Sequence, residues 1–289
     1  MSPVAALRTP LDTDLSGFLA MLQRLDVPCR VSEESGVQVL WVPGEALAKQ
    51  VRELYTQYPQ GDPQLVIEPP RQDAPSLVQR LRATPLTAVM LLLTLAVFAF
   101  TWAGENLQTI RWLSFTDYGI TEEYIYFANL EFTLKSGEWW RLFTPMFVHF
   151  GWLHLAMNSL WYWELGRRIE ARQGSMMLLG FTLLFSLVSN LAQYGFGGVG
   201  IFGGLSGVLY GLLGHCWLFQ KLAPCAAYRL PPGVVVLMLA WLLICLSGLV
   251  TVLGLGAIAN AAHVGGLLVG CATGLLGGWL ARHGRRTKA

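Results

Sequence analysis

The sequence predicts an all-α polytopic membrane protein, a six-transmembrane-helix bundle preceded by a small soluble α/β N-terminal domain. Composition comes first: of 289 residues, 54% are hydrophobic and 13% charged, against roughly 25% charged in an ordinary soluble domain. The apolar content is also blocky. No Asp, Glu, Lys or Arg occurs from Ala83 to Gly104, Leu142 to Trp163, Gln173 to Gln220 or Leu230 to Ala281, and each block has room for one or two spans. Finally, all 18 acidic residues lie in Met1 to Glu170, and beyond Glu170 stand seven basic residues and no acid. Such a composition excludes a soluble globular enzyme, and the charge split argues against a nucleic-acid surface.

Residues 1–66 have ordinary soluble composition. Leu15, Phe18, Leu19 and Leu22 repeat at helical spacing behind a Thr13/Asp14 cap, Val37, Val39 and Trp41 alternate before Pro43, and a second helical pattern runs from Glu45 to Tyr55. This is the expected soluble cytoplasmic domain. Pro63, Pro69, Pro70 and Pro75 mark a linker taken as 67–84. No cleavable signal is expected, so the first span serves as insertion signal.

Residues 85–281 carry the six predicted spans: Pro85–Ala103, Pro145–Gly166, Ser175–Tyr194, Gly204–Gln220, Gly233–Leu253 and Ala259–Leu280. The glycine-rich run Gly195 to Gly204 splits one long apolar block, and Gly254-Leu255-Gly256 splits the other. Basic residues fall before the first span (Arg71, Arg80, Arg82), between the second and third (Arg167, Arg168, Arg172), between the fourth and fifth (Lys221, Arg229), and in the tail 282–289. Both termini are therefore expected on the cytoplasmic side. The connection from Glu105 to Thr144 lies opposite, and its Trp112, Phe115, Tyr118, Tyr124, Tyr126, Phe127, Trp139 and Trp140 predict a structure lying in the membrane interface. The five cysteines form no CxxC pair or zinc spacing and read as small buried hydrophobes.

Candidate chemistry gathers in the apolar blocks. Ser206, in Gly204-Leu205-Ser206-Gly207, follows the glycine-rich run and opens a helix, where a helix dipole and free N–H groups stabilise an oxyanion. An N-cap beside packing glycines gives the same tetrapeptide. His263 is an ionisable residue inside a span, a functional candidate by default, although a packing role through a backbone carbonyl also fits it. Gly266 and Gly270 share its face, and Gly207 and Gly211 give the Ser206 helix a similar thin face, so a nucleophile and its base can approach closely. His154 and Asn158, at i and i+4, can donate to one point or glue two helices together. Counted at 1.5 Å per residue, His154 lies about 20 Å above Arg167, Ser206 about 22 Å above Lys221 and His263 about 28 Å above Arg282, all in the outer half of a ~30 Å core. Irregular backbone at that depth calls for a water-filled cavity. With no acid after Glu170, the Ser- and His-bearing helices have no third triad member to offer, which leaves a Ser-His dyad. No HExxH motif or third ligand supports a metal, no cofactor is needed, and His149, His215 and His283 receive no chemistry.

Together, Trp140-Arg141, His154-x-x-x-Asn158, Glu170-x-x-x-Gly174, Gly204-x-Ser206-Gly207 with Tyr210, and Ala262-His263 with Gly266-x-x-x-Gly270 resemble the rhomboid family of intramembrane serine proteases, specifically its bacterial GlpG type. The resemblance covers about Gly137 to Leu280, and residues 1–66 resemble the cytoplasmic domain of that type. It implies a six-helix rhomboid bundle in the bacterial inner membrane, cutting transmembrane protein substrates near the non-cytoplasmic face. It implies Ser206 as nucleophile, His263 as general base and acid, and an oxyanion site of His154, Asn158 and the Ser206 N–H. Tyr210 would stack on His263, and Trp140-Arg141 would fix the interfacial connection. Cys245 stands where the family's gating Trp is expected. A transporter would instead call for internal repeats and coupling-suited ionisable groups, and an inactive rhomboid-like binding module would normally lack Ser or His; the sequence has neither signature.

Overall fold

The computed structural model describes residues 3–62, 76–231, 233–253 and 257–286, and the chain divides into two compact units, 1–74 and 75–289. The first holds an antiparallel sheet of order β1-β3-β2, with β1 at Pro3–Pro10, β2 at Arg30–Glu34 and β3 at Val37–Pro43. Helices α1 (Ser16–Arg24) and α2 (Glu45–Gln57) complete it. Phe18, Met21 and Leu22 of α1 pack with Leu40 and Val42 of β3 and Ala48 and Val51 of α2. Two features differ from the sequence reading. Asp14 does not cap α1 from the N-cap position, which Leu15 occupies; its carboxylate accepts the Ser16 N–H at 2.9 Å. Leu40 and Val42, outside the alternating set Val37, Val39 and Trp41, turn into the core with the helices, while on the opposite face of β3 Val39 is buried and Val37 and Trp41 are half-buried. The linker prolines Pro63, Pro69, Pro70 and Pro75 lie outside the described residues.

The second unit is an all-α bundle. Helix α3 (Leu77–Ala83) starts on a capping box between Ser76 and Gln79, and α4 (Pro85–Phe100) begins with Pro85 in its first turn. The connection that follows is folded: α5 (Leu107–Ile110), a hairpin of β4 (Tyr118–Ile120) and β5 (Ile125–Phe127), α6 (Leu130–Lys135), and 3₁₀ turns at Trp139–Leu142 and Thr144–Phe147. Next come α7 (Trp152–Gln173), α8 (Ser175–Ala192) with a π-turn at Gln193–Gly197, α9 (Ser206–Leu222), α10 (Val234–Leu246), α11 (Leu249–Val252) and α12 (Asn260–Arg286).

Several helix boundaries move relative to the sequence reading. Helix α7 runs from Trp152 to Gln173, not from Pro145 to Gly166: Pro145 sits in a 3₁₀ turn, and Gly151, at φ +91°, turns the chain before the helix starts. Its C-terminal end continues past Gly166, where Glu164 pairs with both Arg167 and Arg168 one turn on. The first helix stops at Phe100 instead of Ala103, α8 gives way to the π-turn after Ala192, and α9 starts at Ser206. The fifth predicted span breaks at Ser247-Gly248 into α10 and α11, while the last helix extends to Arg286. Gly254-Leu255-Gly256 and the tail 287–289 fall outside the described residues.

Helices 175–197 and 260–284 are long and apolar enough to cross a membrane, and Pro85–Phe100 and Val234–Leu246 are shorter apolar helices. Leu92, Met176, Val236, Leu243, Leu268 and Leu276 stand exposed on them, the outward face of a bundle solvated by lipid. The inside is organised by α9, which is buried from Gly207 to Cys216 and lies against α12 along facing glycines. A Cβ on Gly266 would meet the Gly207 carbonyl, and one on Gly270 the Gly211 carbonyl. Only helices stripped of side chains approach this closely.

Candidate active site

The glycine-rich segment after the π-turn delivers the chain to the start of α9. The Gly204 N–H bonds the Pro145 carbonyl at 3.0 Å, and Gly204 adopts φ +116°, a conformation that a side chain would strain. Ser206 is the first residue of α9, so its N–H is one of the first-turn donors without an intrahelical acceptor. From α12, the second turn brings in His263, 6% exposed. Ser206 Oγ and His263 Nε2 are 2.8 Å apart. His263 Nδ1 is buried and has no hydrogen-bond partner among the described residues.

His154 comes from the second residue-pair of α7. The Phe150 N–H bonds its Nδ1 at 3.3 Å, so Nε2 carries the proton. That edge lies over Gly204, where a Cβ would come within 2.8 Å of both Nε2 and Cε1. An N–H donor thus points at the loop two residues before Ser206. Asn158 is buried one turn further in; its Nδ2 donates to the His154 carbonyl at 2.8 Å, while Oδ1 has no partner among the described residues. One amide hydrogen is therefore committed to its own helix, and Asn158 is less free than a shared helix face suggests. Beside Ser206 and Gly204, also lined by Ser186, Asn190 and Ala262, is a cavity of about 10 Å³, room for one water.

The supporting residues occupy distinct places. Tyr210 meets His263 with ring centroids 5.1 Å apart but tilted by 43°, not stacked, and its hydroxyl donates to the Met238 carbonyl of α10 at 3.0 Å. Arg141, 2% exposed, donates to Glu138 at 2.8 Å, Asp117 at 3.3 Å and the Ser114 carbonyl at 3.1 Å, and also to the Arg111 carbonyl. It is the hub of the connection between α4 and α7. Trp140 bonds the Trp112 carbonyl at 3.0 Å and stays exposed with Trp112 and Trp139, the amphipathic face expected of an interfacial element. Glu170 lies away from the site: it accepts Leu86 N–H, Thr87 N–H, Thr87 Oγ1–H and Ser175 Oγ–H at 2.6 to 2.8 Å. One carboxylate so caps α4 and ties it to α7 and α8. Cys245 is buried, and its carbonyl accepts from Asn260 Nδ2 at 3.1 Å, linking α10 to the start of α12. All five cysteines are free thiols, and no group of three metal-ligating side chains occurs among the described residues.

Two residues that shape the site were not singled out by sequence. Buried His149 spans from the Phe147 carbonyl, at 3.0 Å from Nδ1, to the Leu205 N–H, at 3.4 Å from Nε2, and so holds the residue before Ser206. Gln193, in the π-turn, accepts the Ala262 N–H at 3.2 Å, next to His263. An intramembrane histidine five residues before His154 was the available signal for the first; a π-turn leaves none.

The chain is similar in sequence to known proteins. The rhomboid domain family model matches residues 136–280 and the rhomboid N-terminal domain model residues 1–69. Rhomboid protease GlpG of Yersinia pestis (strain Pestoides F) and that of Yersinia pseudotuberculosis serotype O:3 (strain YPIII) are each 35% identical over 214 residues, 73% of this chain and 69% of the relative. The protein of the same description from Serratia proteamaculans (strain 568) is 35% identical over 204 residues, 71% of this chain and 66% of its own. A serine and a histidine held in hydrogen-bond contact at the N-terminal ends of two glycine-faced helices thus sit within residues that follow one family pattern, and the chain belongs to the rhomboid family of intramembrane serine proteases.

Proposed function

We propose that Ser206 and His263 are the nucleophile and the general base with which this rhomboid hydrolyses a peptide bond in or beside a transmembrane segment of another membrane protein. The observation that carries the reading is their 2.8 Å hydrogen bond at the start of α9. His263 Nε2 takes the Ser206 proton as Oγ attacks the scissile carbonyl. The carbonyl oxygen becomes an oxyanion, met by the Ser206 N–H and by His154 Nε2–H, with the second amide hydrogen of Asn158 as further donor. His263 then returns the proton to the leaving amine, and the acyl group stays on Ser206 as an ester. A water enters, gives its proton to His263 and its oxygen to the acyl carbon, and Ser206 regains its hydrogen. The one-water cavity beside Ser206 supports this last step. A regular helix hides its carbonyls in hydrogen bonds, so substrates with Gly or Pro near the site are favoured.

The membrane arrangement follows from charge. We read six crossings, by α4, α7, α8, α9, the broken pair α10–α11, and α12. Helix α4, at 16 residues, is about 24 Å long and fits a ~30 Å core only where the bilayer thins locally. Basic residues toward the C-terminal ends of α7, α9 and α12, with Arg229 before α10, put those ends, and both termini, in the cytoplasm of a bacterial inner membrane. The dyad then opens toward the non-cytoplasmic side, the α4–α7 connection lies in the outer interface, residues 1–66 form a cytoplasmic domain, 67–84 a linker and 282–289 a basic tail. Purified protein incubated with a fluorescent transmembrane substrate, with and without Ser206→Ala, tests the reading: cleavage must require Ser206, and wild-type protein that leaves such substrates intact would contradict it.

A further inference from the structure

His215 is 1% exposed, in the inner half of α9 and nine residues from Ser206, so about 13 Å below it along the helix. An ionisable side chain in such a place needs partners, and here they form a directional chain. Gln173, the last residue of α7, reaches His215 Nε2 at 3.4 Å, His215 Nδ1 reaches Thr273 Oγ1 of α12 at 3.1 Å, and the Thr273 hydroxyl donates to the Gly270 carbonyl at 2.9 Å. Since the Thr273 proton is spent on Gly270, its oxygen accepts, and His215 Nδ1 carries the hydrogen. The ring is held by Phe181, Phe219 and Tyr228, with centroids 4.4, 5.8 and 5.7 Å away.

The consequence lies in the seam between α9 and α12. Along α12 every fourth residue from Gly266 to Gly274 is bare: a Cβ on Gly274 would meet the His215 carbonyl as those on Gly266 and Gly270 meet the backbone of Gly207 and Gly211, while Cys271 packs on Gly214, and Phe219 and Leu222 pack on Gly277 and Gly278 further along. From Gly266 to Gly274 these bare backbones pack closely and offer few knobs to fix one helix against the other along their length. At the outer end the Ser206–His263 hydrogen bond crosses the seam, yet acylation of Ser206 removes its donor in every turnover. The His215–Thr273 bond crosses the same seam further in and takes no part in bond making.

On the proposed assignment of the dyad, we propose that His215 is a positioning residue, which through Thr273 holds the α9–α12 register and so keeps Ser206 Oγ against His263 Nε2 throughout the reaction. A displacement of about 1 Å between reacting groups costs on the order of 100-fold in rate, so loss of this bond should reach the dyad. The test uses the full chain with a transmembrane peptide substrate, each variant assayed well below its melting midpoint. Thr273→Val, which keeps volume and removes the acceptor, and His215→Phe, which keeps an aromatic ring, should each lower kcat by about tenfold or more with KM within about twofold. Thr273→Ser should restore most of the rate, and the double variant should be no worse than His215→Phe alone, because both remove one bond. A kcat within twofold of wild type for Thr273→Val, whatever its melting temperature, or losses that multiply in the double variant, would overturn the proposal. Wild-type cleavage that survives Ser206→Ala would instead remove the dyad that His215 is said to position, and is read separately from those variants.

Discussion

Replacing Gly270 by alanine should damage catalysis from a distance that can be worked out. Gly270 lies seven residues, about 10 Å, along α12 from His263. A Cβ there would meet the Gly211 carbonyl oxygen and come within 2.6 Å of Gly211 C and Cα, where ordinary contact begins at 3.4 Å. All three atoms are backbone of buried α9 and cannot swing away, so α12 must retreat by about 0.8 Å or more. Carried to the dyad, that widens the 2.8 Å Ser206–His263 contact to about 3.6 Å, beyond hydrogen-bond range. The expected result is a fall in kcat on the order of 100-fold, with a stability loss of about 1–3 kcal/mol from overpacking. Initial rates on a fluorescent transmembrane substrate, with thermal melts in the same detergent, measure both. A Gly270→Ala protein that keeps its rate within about threefold and its melting temperature unchanged would refute the argument from the seam.

Removing His154 should lower kcat by about 10- to 1,000-fold with little change in KM, and Asn158→Ala should fall at the low end because one of its amide hydrogens already serves the His154 carbonyl; kinetics of each variant and of the pair decide it. Glu170→Gln turns one of two oxygens that each accept two hydrogen bonds into a donor, which leaves two donors without an acceptor, as for the buried Thr87 N–H and hydroxyl on Oε2, and should destabilise the bundle by about 2–4 kcal/mol, read as an earlier thermal melt. The Arg111 hydrogen bond holds the Asp117 carboxyl below the usual carboxylate range, so its contribution is fully present above the unfolded value of about 3.9 and is lost as pH falls through the lower native value. Melting curves from pH 6 to pH 2 should therefore steepen below about pH 4 in wild type and less so in Asp117→Asn.

Much of this was legible in the sequence, for physical reasons. A bilayer penalises polar groups so strongly that Ser206, His263, His154 and Asn158 stand out against their apolar surroundings, and the glycines that let their helices approach lie at readable spacings. Helix ends were less legible. The start of α7 depends on the turn at Gly151, and Pro145, at the head of an apolar block, looks like a helix start yet sits in a 3₁₀ turn. Strands β1 and β2 flank a central strand, and their mixed, exposed residues carry little alternation. The π-turn and the contacts of Gln193 and His149 are products of tertiary packing, with no local signature.

The central claim, that Ser206 is a nucleophile activated by His263, is tested most directly by covalent labelling. A fluorophosphonate reacts with an activated serine hydroxyl and stays attached, and peptide mass spectrometry locates it. The account predicts one adduct on the peptide that contains Ser206, none in Ser206→Ala, and a labelling rate in His263→Ala reduced at least 100-fold, in keeping with two residues that act as a unit. An adduct on another residue, or labelling of Ser206 that proceeds unchanged without His263, would contradict it.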